Sequence, residues 1–164
     1  MPVTTDIVAS YRGPRAVMRR LLAMGPNEGR ALAILLAGCA VTFIGQWPRL
    51  AREAHLNERD LNQEMAGALM AWLILAPLVF YALAFVSHLA LRALGGANDA
   101  YAARLALFWS WLAASPLLLL NGLVAGFVGP GPAQTGVGAL WLAVFLWFWL
   151  SALHEAGRTG REAR

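Results

Sequence analysis

Residues 102–128 read AARLALFWSWLAASPLLLLNGLVAGFV, and how this run folds decides the architecture. It carries a single charge, Arg104, close enough to its start for the guanidinium to snorkel to an interface. A straight helix of 27 residues is about 40 Å long, more than a hydrocarbon core about 30 Å thick but too short for two crossings and a turn. Ser115-Pro116 lies mid-run, so the economical reading is one long, kinked helix.

One crossing here makes four in the chain. Upstream, Ala31 to Trp47 (ALAILLAGCAVTFIGQW) is uncharged, with Gln46 and Trp47 marking its far interface and Pro48 following. Ala66 to Leu91 is longer than a bilayer requires, and tilt or a kink at Pro77 absorbs the excess. Downstream of the uncharged turn Gly129–Gly136, Val137 to Leu153 is aromatic-rich, with Trp141, Phe145, Trp147, Phe148 and Trp149. The expected fold is all-α: a polytopic helical membrane protein with four transmembrane helices (31–47, 66–91, 102–128, 137–153) and an N-terminal interfacial amphipathic helix. Segment 1–29 precedes the 30–154 transmembrane domain, and a polar tail, 155–164, is expected to fray.

Composition supports this class. The chain is 59% hydrophobic and 13% charged, against about 45–50% and about 25% for soluble domains. A soluble enzyme, a disordered tail and a disulfide scaffold are excluded on that ground. Cys39 alone makes no internal disulfide and reads as a small packing residue. No cleavable signal peptide is read in residues 1–30, so the run from Ala31 is expected to act as an uncleaved signal-anchor.

The N-terminal segment is amphipathic. Pro14 suits the first turn of a helix, after which Val17, Met18, Leu21 and Leu22 recur at helical spacing. Arg12, Arg15, Arg19 and Arg20 fall largely on another face. This is the pattern of a helix at the membrane surface, apolar side in acyl chains and arginines among anionic headgroups. Gly25-Pro26-Asn27 ends it. Between the first two spans, Leu50, Ala54, Leu61 and Met65 suggest a short amphipathic helix on the opposite surface. His55 there reads as solvated rather than as a metal ligand, and His88 as interfacial rather than as a proton relay. Gly95 or Gly96 supplies a helix C-cap and Asn98 or Asp99 an N-cap.

All 13 basic residues are Arg. Ten lie in the N-terminal segment, the middle loop and the tail: Arg12, Arg15, Arg19, Arg20, Arg30, Arg92, Arg104, Arg158, Arg161 and Arg164. Three, Arg49, Arg52 and Arg59, lie on the other side of a four-span chain. The imbalance predicts both termini in the cytoplasm. Spread over loops, these arginines serve topology, and no nucleic acid is expected as a partner.

Within the third span, Ala106, Ser110, Ala114, Leu118, Gly122 and Gly126 recur every four residues, and Gly122-x-x-x-Gly126 permits close helix packing. Thr42, Ser110, Ser115 and Asn121 are the deep polar groups and read as helix-satisfying rather than path-lining. Walker, zinc-ligand, nucleophile-elbow and dinucleotide motifs are all missing. No carboxylate sits inside a span, since Glu28, Glu64, Asp99 and Glu155 fall at helix ends or in loops. No enzyme activity, metal or cofactor is expected.

The order of parts resembles the bacterial branch of the Yip (Ypt-interacting protein) membrane family. The resemblance rests on the lead-in RGPRAVMRRLL with Pro14, the Gly95-Gly96 pair, Tyr101 at the start of a helix with Ser115-Pro116 in its middle, and Leu153-His154-Glu155-Ala156-Gly157. It implies a multi-pass protein of a bacterial cytoplasmic membrane. Family members have five spans, so the chain resembles a version lacking the last. The expected function is a non-enzymatic scaffold, accessory subunit or membrane-organising factor. Its expected partners are the lipid bilayer, anionic headgroups and a membrane protein or second copy. A small oligomeric channel or carrier is the alternative.

Overall fold

The computed structural model describes residues 3–93 and 99–162, with side chains to residue 158. Gly95, Gly96, Asn98 and Arg164 lie outside the described residues. Everything regular among the described residues is helical: α1 (Val3–Arg12), α2 (Pro14–Ala23), α3 (Glu28–Leu56), α4 (Leu61–Met70), a π-helical turn (Ala71–Leu75), α5 (Ala76–Ala93), α6 (Ala100–Phe127) and α7 (Pro132–Glu162). Four helices are long and apolar enough to cross a membrane, namely α3, the continuous Leu61–Ala93 helix, α6 and α7. The chain is an all-α polytopic membrane protein.

Residues 102–128 form one crossing. Helix α6 runs unbroken through Pro116, and Ser115 Oγ donates to the Leu112 carbonyl at 2.7 Å beside the position where proline removes a donor. Two other boundaries differ from expectation. Pro48 does not end α3, which continues eight residues to Leu56, so the amphipathic stretch after Trp47 extends the first span instead of lying as a separate surface helix. The tail does not fray at Leu153: α7 runs on to Glu162, and Ser151, Ala152, Glu155 and Ala156 are buried.

Pro77 is accommodated by a wider turn. Its ring would clash with the carbonyl four residues back in a regular helix. Over Ala71–Leu75 the chain makes a π turn, and the Ala76 N–H donates to the Ala71 carbonyl five residues back. Between α3 and α4, Asn57 N–H bonds the Glu53 carbonyl and Arg59 N–H bonds that of Ala54. This helix stop places Glu58 in the left-handed region (φ 52°), where glycine is usual. Asp60 then caps α4 by accepting from the Asn62 N–H.

Helix α6 is the centre of the bundle. From Tyr101 to Ser115 every residue except Arg104 is buried, whereas α4 buries none and α5 only Phe80 and Ala84. Helices α3 and α6 run parallel. Gly38 lies against Trp111 and Leu112, Gly45 against Leu118, Leu119 and Gly122, and Pro48 against Gly126. The contacts advance together along both helices, as two crossings in the same direction must. Helix α7 returns antiparallel to α6, with Asn121 Nδ2 donating to the Gln134 carbonyl at 3.1 Å near one end.

Candidate functional site

Two features could carry function: the N-terminal cap and the packed midplane. The cap begins with a break. Proline disfavours helical geometry in the residue before it, and Gly13 is extended (φ −164°) while Pro14 opens α2 as its first residue. Helices α1 and α2 therefore fold back as a hairpin, closed by an ion pair between Arg20 and Asp6.

The apolar face of α2 packs on protein, whereas Val3 and Val8 of α1 are exposed. Val17, Met18 and Leu21 are 3%, 0% and 4% exposed, in one hydrophobic cluster with α3, α6 and α7, and Leu22 packs against that cluster. For Val17, Met18 and Leu21 this corrects the expectation of an apolar side in lipid. Protein and hydrocarbon are equally good solvents for these side chains, and the upper part of α6 and α7 offers a protein surface first. Burying three such side chains contributes roughly 1.5–3 kcal/mol each relative to water.

Polar contacts fix the docking. Trp109 Nε1 donates to Ser10 Oγ at 3.0 Å, both groups buried, and Ser10 Oγ donates to the Asp6 carbonyl at 2.9 Å. The Tyr11 ring meets the Phe148 edge at 5.0 Å, and partial burial raises the Tyr11 phenol above its ordinary pKa, so it stays neutral. Arg19 Nη1 lies 3.5 Å from the buried Glu155 carboxylate of α7. Arg30 joins three helices, donating to the Gly25 carbonyl at 2.5 Å and the Leu21 carbonyl at 3.4 Å at the end of α2, and to Tyr101 Oη at 2.9 Å on α6. Cationic groups belong at a helix C-terminus, where carbonyls are left unpaired. Arg104 pairs with Glu28 at the same end of the bundle.

The four N-terminal arginines thus divide. Arg19 and Arg20 make intramolecular ion pairs. All four are exposed, but Arg12 and Arg15 make no ion pair among the described residues. The hydrophobic pattern revealed none of the interhelical links at Ser10, Arg30, Tyr101 or Glu155. Ser10 and Glu155 carry only the generic signal of polar residues at apolar faces.

The midplane is organised by Trp111. It meets Trp72 at 5.9 Å, Phe80 at 4.6 Å, Trp141 at 5.5 Å and Phe145 at 5.9 Å, and its ring occupies the space opposite Gly38. One indole on α6 therefore touches the other three crossings. The small-residue stripe is split. Successive i+4 positions rotate by about 40° on an α-helix, so Ala106 and Gly122 face opposite directions. Gly122 and Gly126 lie on α3, where a β-carbon would run into the Gly45 carbonyl and Pro48 respectively. Ala106, Ser110 and Ala114 are fully buried in the first half of α6.

The deep hydroxyls are satisfied within their own helices. Thr42 donates to the Gly38 carbonyl at 2.8 Å and Ser110 to that of Ala106 at 2.7 Å. His55 is exposed and His88 half-buried. Among the described residues no three His, Cys, Asp or Glu side chains group as a metal site. Pro14 and Tyr101 stand at helix starts and Pro116 within α6.

The fold and these contacts define a helical membrane protein with a docked N-terminal hairpin. Comparison with family models, with curated proteins and with solved structures gives no match.

Proposed function

We propose that this chain is a non-enzymatic, Yip-like multi-pass protein of a bacterial cytoplasmic membrane, with both termini on the cytoplasmic side, and that it acts as a membrane-organising scaffold or accessory subunit. The observation that carries the reading is the docked hairpin. The apolar face of α2 is consumed by the bundle, and Arg12 and Arg15 are left exposed and without an ion pair among the described residues, at the end where α2 meets the end of α7. Such a rigid basic cap faces an anionic leaflet without having to fold on it, and each arginine near that surface contributes about 1 kcal/mol. The arginine excess at this end supports a cytoplasmic orientation. The alternative, an oligomeric channel or carrier, draws less support, because Thr42, Ser110 and Ser115 turn their hydroxyls to their own helix carbonyls.

The test is reconstitution into bilayers of mixed phosphatidylglycerol and phosphatidylcholine. Energy transfer from protein tryptophan to labelled lipid measures which lipid collects around the cap. The anionic lipid is expected to be enriched, less so at high salt, and Arg12→Gln with Arg15→Gln removes more of the enrichment than Arg19→Gln with Arg20→Gln. Equal enrichment of both lipids would sink the reading, and protein-dependent ion flux from the same vesicles would favour the channel.

A further inference from the structure

Two open recesses lie along the Leu61–Ala93 helix, one between it and α3 and the other between it and α6, and they share the wall made by Ala71 and Trp72. The first, about 760 Å³, sits at the end of the bundle opposite the hairpin and is rimmed by Arg49, Arg59, Asp60 and Glu64. The second, about 430 Å³, lies further along the same helix and is lined only by apolar and aromatic side chains, among them Leu75, Val79, Phe80 and Trp111. A mixed-charge recess therefore adjoins an apolar trough.

The rim has two guanidinium groups and two carboxylates. Arg59 bonds Glu64 at 3.1 Å, Arg49 reaches Gln46 at 3.0 Å and Glu53 at 2.8 Å, and Asp60 accepts from the Asn62 N–H. A purely anionic head would meet Asp60 and Glu64, and a purely cationic one Arg49 and Arg59. A head with a phosphodiester beside a primary ammonium matches both signs, and its N–H donors can bond carboxylates as a quaternary ammonium cannot. The trough fits the rest of such a molecule. The nine helical steps from Ala71 to Phe80 cover about 14 Å, close to the roughly 15 Å half-thickness of a hydrocarbon core.

We propose that the two recesses together bind one phospholipid with an aminoethyl phosphate head. Its phosphate lies toward Arg49 and Arg59, its ammonium toward Asp60 and Glu64, and one acyl chain runs along Trp72, Leu75 and Val79 onto Trp111. The site is independent of the N-terminal cap and of any role assigned to it.

The full chain, delipidated in mild detergent, is offered phosphatidylethanolamine, phosphatidylcholine and phosphatidylglycerol in equal amounts, and retained lipid is counted by native mass spectrometry. One phosphatidylethanolamine per chain is expected, favoured about tenfold or more over either competitor, the low end of the worth of one hydrogen bond to a charged group. Gly67 lines the mixed-charge recess, and a β-carbon there meets nothing within 4 Å. Gly67→Phe is therefore expected to block retention while leaving the melting temperature unchanged. Asp60→Asn with Glu64→Gln keeps a capping side chain on α4 and removes both carboxylates, so the preference for ethanolamine over glycerol heads disappears. Equal retention of all three lipids, or retention unaltered in both variants, overturns the proposal. If Gly67→Phe melts early, the selectivity of the Asp60→Asn, Glu64→Gln protein decides alone.

Discussion

Gly122 shows how much one missing side chain decides. Parallel crossings in lipid gain little from the hydrophobic effect against each other and hold by close van der Waals contact. The α3–α6 seam reaches that contact because Gly122 lies on the Gly45 backbone and Gly126 on Pro48. The recurrence of small residues in α6 was legible in the sequence, whereas its partners in α3 were not. Gly38 and Gly45 are seven apart, a spacing that marks a seam only once a neighbour is known. Gly122→Leu must separate two backbones and is expected to cost about 1–3 kcal/mol or more by overpacking. Gly136→Leu, where a β-carbon meets open space, is expected to melt with the parent protein in detergent. A parent-like melting temperature for Gly122→Leu would mean that the two helices do not touch there.

At the scale of elements, the N-terminal hairpin is where sequence pattern and outcome part. Val17, Met18, Leu21 and Leu22 announce one apolar face, and the arginines announce another. That pattern says the face must leave water, and it is silent on whether lipid or protein receives it. The receiving surface is assembled from residues about a hundred positions away, including Trp109 and Phe148. Because packing holds the hairpin, it should stay protected from trypsin at Arg12 and Arg15 at low and high salt alike. Met18, wholly buried, is its deepest anchor. Met18→Ala is expected to cost about 2–5 kcal/mol at this site and to open the hairpin to cleavage. Release of the parent hairpin by salt alone would show that charge, not packing, holds it.

For the whole molecule, the consequence is a topology with both described ends at one pole. Helix α2 and the end of α7 meet through Arg19 and Glu155, and the α3–α4 turn lies at the pole opposite them, as does the α6–α7 turn. Arg52 ties those two turns together by donating to the Gly126 carbonyl at 3.3 Å. In a Cys39→Ala background, cysteines at Glu58 and Gly131 should react with an impermeant maleimide from one side of the membrane, and cysteines at Arg15 and Arg158 from the other. Labelling of Glu58→Cys and Arg15→Cys from the same side would remove the four-crossing arrangement.

The crossings themselves were determined by the sequence alone, because spanning a bilayer depends on apolar content summed over about 20 residues and on helical rise, both local quantities. The same locality explains Pro14 at the start of α2 and Asp99 at the N-cap position of α6. The extent of α3 beyond Pro48 and of α7 beyond Leu153 was decided by tertiary structure, since contacts with α6 and α2 sustain turns that local propensity leaves open. So was the division of the four exposed arginines into two that make ion pairs and two that make none among the described residues, and the turning of the small-residue stripe around α6. Charge and apolar spacing state what each face must avoid, and only the folded chain supplies the neighbour that satisfies it.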